Sequence, residues 1–185
     1  MKKFSSKQFW EDRYSQGGTS GTGSYGNSAV YKADVINSLI KKYNITTIND
    51  LGHGDGNNIQ LIDVPEYFGY DVSKSARDRC IHKFKDNGAY TFYSRESQFK
   101  KKDMAISLDV LYHLTEEKVY KKYLDKLFKI GKMVLIYAMD EDKAGNDHVV
   151  SRRFTPYIEK TYKDFKLIEV VNGFTVDVKF YLYNS

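Results

Sequence analysis

The sequence predicts an α/β protein: a three-layer sandwich whose helices cover both faces of a mostly parallel, seven-stranded sheet with one antiparallel strand. Three observations carry that expectation. Short β-branched or apolar runs alternate with longer stretches of helical apolar spacing along the 185 residues, the pattern of linked strand–helix–strand units. The run from Lys132 to Ala138 contains Met133-Val134-Leu135-Ile136-Tyr137, continuously apolar as a strand covered on both faces is. The chain ends in two strand-like segments, Lys166 to Val171 and Thr175 to Tyr183, joined at Asn172-Gly173. That junction is a hairpin signal, and it supplies the antiparallel strand.

The elements follow in order. Phe4 to Tyr14 sets Phe9 or Trp10 against Tyr14 at helical spacing, so a short amphipathic helix is expected. Gly17 to Gly26 is too glycine-rich for regular structure; its serines and Tyr25 favour a mobile lid over a ligand rather than a slack linker. Residues 1–27 are thus read as an aromatic helix and lid, and 28–185 as the core of a single domain. Ser28 to Tyr43 repeats apolar residues at Val30, Val35, Ile36, Leu39, Ile40 and Tyr43, one buried helical face, with Lys41 and Lys42 suiting its carboxyl end. The first strand is Ile45 to Leu51, and a helical turn over Asn57 to Ile62 is cut short by Pro65. The second strand is Tyr67 to Asp71, followed by a helix from Ser73 to about Lys85 that turns Cys80 and Ile81 inward. Ala89 to Tyr93 and Asp103 to Leu108 are the third and fourth strands. Thr115 is expected to cap a helix through Ile130 that buries Val119, Tyr120, Tyr123, Leu124, Leu127 and Phe128. A polar loop from Asp140 to His148 follows the fifth strand, and Thr155-Pro156 gives the cap-then-proline start of a helix to about Tyr162.

Composition sets outer bounds. A hydrophobic fraction of 41% argues against wholesale disorder. No run approaches the ~18 apolar residues of a membrane span, and the charged start Met1-Lys2-Lys3-Phe4-Ser5-Ser6 has no apolar stretch behind it to make a signal peptide. The single cysteine, Cys80, offers neither a disulfide framework nor a thiolate metal site, so a reducing, cytoplasmic setting is expected. A net charge of +5 permits an anionic substrate without demanding one.

The chain is organised around Ile48-Asn49-Asp50-Leu51-Gly52-His53-Gly54-Asp55-Gly56. Glycine serves where backbone must turn with positive φ or approach a ligand closely. A strand, a glycine turn and a following helical segment together present N–H groups to a nucleotide-like ligand. The dinucleotide fingerprint G-x-G-x-x-G would need its third glycine at Asn57, where none stands. Asp71 ends the second strand about twenty residues beyond Asp50, where a carboxylate can accept both hydroxyls of a ribose.

The pattern D-x-G-x-G-x-G over Asp50 to Gly56 resembles the S-adenosylmethionine loop of class I methyltransferases. Two further segments resemble motifs of that family: Gly69-Tyr70-Asp71-Val72-Ser73, and Ser107-Leu108-Asp109-Val110-Leu111-Tyr112-His113-Leu114. Order and spacing are similar over nearly the whole chain. The resemblance implies S-adenosyl-L-methionine as cofactor, with Asp50, Gly52 and Gly54 along its methionine end beside His53, where small members often carry cysteine. It implies Asp71, followed by Val72, on the ribose; Leu108 and Asp109 bordering the cofactor; and Arg95 or Glu96 near adenine. Tyr14, Tyr25 and Lys32 would close the pocket from above, Lys32 reaching toward the cofactor carboxylate.

His113 follows the fourth strand on the carboxyl edge of the sheet, and an imidazole of ordinary pKa near ~6.5 is a competent base at neutral pH. It serves equally as a packing or capping residue of the next helix. His148, Arg152 and Arg153 follow the fifth strand, as acceptor contacts or as a solvated face. The acceptor would take the methyl group on oxygen or nitrogen, and a small molecule, a sugar or a polymer end all suit. Two other readings stand beside methyl transfer: an enzyme using the same cofactor differently, and a non-catalytic basic binding module. No metal is expected.

Overall fold

The computed structural model describes residues 4–185. The elements in order are α1 (Ser6–Ser15), α2 (Gly26–Tyr43), β1 (Thr47–Leu51), β2 (Glu66–Tyr70), α3 (Lys74–Lys83), β3 (Tyr90–Phe92), β4 (Lys102–Leu108), α4 (Glu117–Ile130), β5 (Gly131–Ala138), α5 (Thr155–Thr161), β6 (Lys166–Asn172) and β7 (Lys179–Asn184). They form a seven-stranded sheet of order β3-β2-β1-β4-β5-β7-β6. Strands β1 to β5 pair in parallel, while β7 runs antiparallel to both β5 and β6. Strand order reverses between β1 and β4, so their carboxyl ends diverge into the crevice where open α/β sheets hold ligands.

The two-residue period of the central strands separates two cores. Met104, Ile106, Met133 and Leu135 face one side with Ile36 and Leu39 of α2 and Cys80 of α3. Ala105, Val134 and Ile136 face the other with Leu124 and Leu127 of α4 and Ile158 of α5. A polar side chain on β1 bridges two segments within this interior. Asn49, fully buried on β1, donates through Nδ2 to the carbonyls of Lys100 at 2.7 Å and Ile130 at 2.8 Å, tying the end of α4 to the loop before β4.

Several local expectations give way to tertiary context. Ile81, Val30 and Val119 are exposed rather than buried, at 51%, 50% and 42%. The helix before β5 is not capped by Thr115: Glu116 occupies the N-cap, and its carboxylate instead accepts the N–H of Ser6 from α1. Thr155 is the first helical residue of α5, not its cap; Asp140 reaches in to accept the N–H groups of Phe154 and Thr155 and the Thr155 hydroxyl. The last strand begins at Lys179 instead of Thr175, because the turn runs from Gly173 to Val178, closed by the Gly173 N–H to Val178 carbonyl bond, and leaves Val176 91% exposed. The glycine-rich stretch holds a short 3-10 turn at Thr22–Ser24, and α2 starts at Gly26 rather than Ser28.

Replacing Asn49 by Ala strips the buried Ile130 carbonyl and the part-buried Lys100 carbonyl of their donor, so a loss of about 1–3 kcal/mol is expected. Chemical denaturation checks it, and an unchanged midpoint contradicts the role given to Asn49.

Candidate active site

A cleft of about 800 Å³ opens at the carboxyl ends of β1, β2 and β4 and is roofed by α1 and the loop after it. Its floor is the turn after β1. Gly52 has φ of +101° and Gly54 of +61°, both left-handed conformations that side chains rarely adopt. Each also lacks the room for one. A Cβ on Gly52 would lie 2.7 Å from Val110 Cγ2, and on Gly54 2.3 Å from Ser20 Oγ and 2.9 Å from the Tyr14 hydroxyl. The turn is therefore shaped against the loop after β4 on one side and the lid on the other.

Three carboxylates, Asp71 and Asp55 buried and Asp109 partly so, fasten these loops. Asp71 accepts the Gly54 N–H at 2.9 Å on one oxygen and the Ser73 N–H at 2.9 Å on the other, locking the β1 turn to the end of β2. Asp55 accepts the Ser20 N–H and the Tyr25 hydroxyl, both at 2.7 Å. Asp109, itself at φ +61°, accepts from Lys32 Nζ at 2.6 Å and from the Tyr112 hydroxyl at 2.8 Å.

Asp50 differs from the rest. Its Oδ2 accepts the Tyr67 hydroxyl at 2.6 Å, but Oδ1 is buried with no partner among the described residues. Burial pushes its pKa up to about 7, against the downward pull of the Tyr67 hydroxyl. His53 is turned under the floor: Nδ1 lies 2.8 Å from the Gly54 carbonyl, the ring meets Phe92 edge-on, and burial lowers its pKa.

The lid is docked by polar contacts. Glu11 of α1 accepts from the hydroxyls of Ser75 and Ser73, each at 2.7 Å, at the start of α3. Those two hydroxyls lower its pKa to about 2. Arg79 of α3 donates to the carbonyls of Gly18 and Tyr14, and the Tyr14 hydroxyl pairs with Ser20 Oγ at 3.0 Å. Asn57 donates to the Ser24 carbonyl at 2.6 Å.

His113 stands on the wall after β4. Its Nδ1 is 3.0 Å from the His148 carbonyl, which requires a proton on Nδ1 and leaves Nε2 with its lone pair. Burial lowers its pKa, so the ring is neutral at pH 7. Trp10 meets it edge-on at 4.9 Å, and Phe9 stacks on His148 at 4.7 Å.

Solved structures share this architecture. The N-methyltransferase NodS from Bradyrhizobium japonicum, in complex with S-adenosyl-L-homocysteine, superposes with a TM-score of 0.72 at 14% identity, covering 96% of this chain and 97% of its own. The magnesium protoporphyrin IX methyltransferase ChlM from Synechocystis PCC 6803, also with S-adenosyl-L-homocysteine, gives 0.69 at 15% identity, with 97% and 98% covered. The methyltransferase domain of bacterial CtHen1 gives 0.68 at 18% identity, with 84% and 97% covered. The fold is that of class I S-adenosylmethionine-dependent methyltransferases. No family model matches the sequence, and no curated protein sequence matches it.

Within this methyltransferase fold most of the residues singled out from sequence line one cleft: Tyr14, Asp50, Gly52, His53, Gly54, Asp71, Val72, Glu96, Leu108, Asp109 and His113. Three do not. Lys32 is fully buried and paired with Asp109, so it braces the wall instead of reaching over it. Tyr25 turns its hydroxyl to Asp55 and anchors the lid from outside. Arg95 is exposed beside the cleft, and Glu96 takes the lining position. Sequence reasoning missed Glu11, Ser20, Asp55 and Glu116. All four act between segments distant in sequence, which no local spacing records. Phe9 and Trp10 were legible only as helix formers.

Trp10, the only tryptophan, reports on the lid. Because the docked Glu11 has a lowered pKa, its contribution is complete above the free value of 4.5 and is lost as pH falls toward about 2. Trp10 emission should therefore shift red over that interval, and Glu11→Ala should show the red shift already at pH 7. Emission identical to wild type in the variant contradicts the docking role.

Proposed function

We propose that this chain is a methyltransferase that binds S-adenosyl-L-methionine in the cleft at the carboxyl edge of the sheet and passes its methyl group to an oxygen or nitrogen acceptor. The observation that carries the reading is the unpartnered Oδ1 of Asp50, a buried acceptor beside the glycine turn. A buried carboxylate oxygen without a donor costs about 1–3 kcal/mol, and the α-ammonium of an amino-acid ligand relieves that cost. The likeness to methyltransferases solved with S-adenosyl-L-homocysteine supports the same assignment.

On this reading Asp50 holds the ammonium, and the backbone of Gly52 to Gly54 lies along the methionine portion. Asp71 has a lone pair left on each oxygen after its two backbone bonds, enough to accept ribose hydroxyls. Val72, Leu108 and Glu96 line the remainder of the cleft toward the adenine. When bound, the cofactor supplies a methyl group already activated by its sulfonium centre. The protein's part is placement and the exclusion of water, which the docked lid provides. His113 Nε2 is free to accept the acceptor's proton. Lys32 and Tyr112, one on each oxygen, hold the Asp109 carboxylate in the wall beside it.

Calorimetric titration with S-adenosyl-L-homocysteine tests the assignment. Asp50 ionises near pH 7 and the ligand's ammonium favours the ionised form, so affinity should rise about tenfold between pH 5.5 and 7.5. Asp50→Asn should bind more weakly and flatten that rise. No heat at either pH, or an unaltered profile in the variant, defeats the reading.

In an acceptor screen read by release of S-adenosyl-L-homocysteine, His113→Ala should lose on the order of 10²-fold in turnover on whichever acceptor the wild type methylates, with cofactor affinity preserved. Full turnover in the variant ends its role as base.

A further inference from the structure

The outer part of the cleft has features that the cofactor does not account for. Ser6 and Trp10 lie one helical turn apart on α1, about 6 Å along its axis. Across the cleft the Ser6 N–H meets Glu116 Oε1 at 2.9 Å, and the Trp10 ring meets His113. Glu116 and His113 therefore border the same short stretch of cleft, beside Phe9 and His148. The second carboxylate oxygen, Glu116 Oε2, is buried with no partner among the described residues.

Among the described residues the nearby lysines leave that oxygen alone. Lys122 pairs with Glu96 at 3.5 Å, and Lys7 and Lys118 are exposed at the rim. A carboxylate oxygen lacking a donor, in a cleft that Phe9 and Trp10 also line, selects for a cation: the ammonium satisfies the oxygen, and the ring faces attract its charge. A hydroxyl offers the same oxygen a weaker, neutral bond.

We propose that the methyl acceptor is an amine that enters as its ammonium, with Glu116 receiving one N–H and Phe9 and Trp10 flanking the carbon that bears the nitrogen. The proposal rests on the methyltransferase reading above and narrows its substrate class. The step balances. The ammonium gives one proton to the neutral Nε2 of His113, freeing the nitrogen lone pair. That pair forms the N–C bond to the methyl carbon as the C–S bond breaks, and the bonding electrons return to sulfur, which loses its positive charge. The methylated nitrogen leaves as a cation, and the proton on His113 passes to water.

The experiment uses the full chain saturated with S-adenosyl-L-homocysteine and three probes of like shape: phenethylamine, 2-phenylethanol and 3-phenylpropionate. Calorimetry at pH 7.5 should give phenethylammonium at least tenfold tighter binding than the alcohol, with the carboxylate weakest. Glu116→Gln, which keeps an acceptor for the Ser6 N–H, should abolish that preference and leave S-adenosyl-L-homocysteine affinity within threefold. Equal binding of the alcohol, preference for the carboxylate, or no binding of the amine overturns the proposal while leaving cofactor binding intact. Parallel loss of amine and cofactor affinity in Glu116→Gln overturns it too, since Glu116 would then only anchor the lid. Failure of S-adenosyl-L-homocysteine itself to bind removes both readings together.

Discussion

One oxygen of Asp50 lies buried at the end of β1 with no hydrogen-bond donor among the described residues, and much of the architecture keeps it so. The strand delivering it is flanked on both sides by parallel neighbours and covered on both faces, so the carboxylate is fixed where strand order reverses. Tyr67, on the adjacent strand β2, occupies the other oxygen and sets the orientation of the group. Burial then holds the carboxyl near the point of ionisation at neutral pH. Such a group is a liability for folding and an asset for recognising a cationic ligand.

The carboxylates around it act in the opposite sense. Asp71, Asp55 and Asp109 each accept donors from other segments and so shape the cleft, Asp71 keeping a lone pair on each oxygen. Through them the β1 turn, the β2 end, the lid and α2 become one connected network. A ligand entering this network meets a preformed site, with less ordering to do on binding than a slack loop would require. Glu11 and Arg79 extend the same logic to α1, whose aromatic face then completes the wall beside His113.

The sequence made the sheet legible, because continuous apolar runs such as Met133 to Tyr137 and the alternation of strand and helix report burial directly. The glycine turn and its two acids were legible because backbone conformation restricts residue type locally. Side-chain partners were not. Lys32 reads as a free cation on a helix face, and only the fold reveals Asp109 beside it. Thr115 and Thr155 have the composition of helix caps, yet one N-cap is Glu116, turned toward α1, and the other helix start is held by a distant Asp140. Val176 has strand propensity, but a turn closed between Gly173 and Val178 puts it in solvent. In each case a contact between segments far apart in the chain overrides a local preference.

The central claim is that the buried oxygen of Asp50 awaits the ammonium of an adenosyl amino acid. Comparing S-adenosyl-L-homocysteine with 5′-methylthioadenosine, which keeps the nucleoside and lacks the amino-acid end, tests this most directly by calorimetry. The account predicts at least tenfold tighter binding of the compound that carries the ammonium. Equal affinities would contradict it.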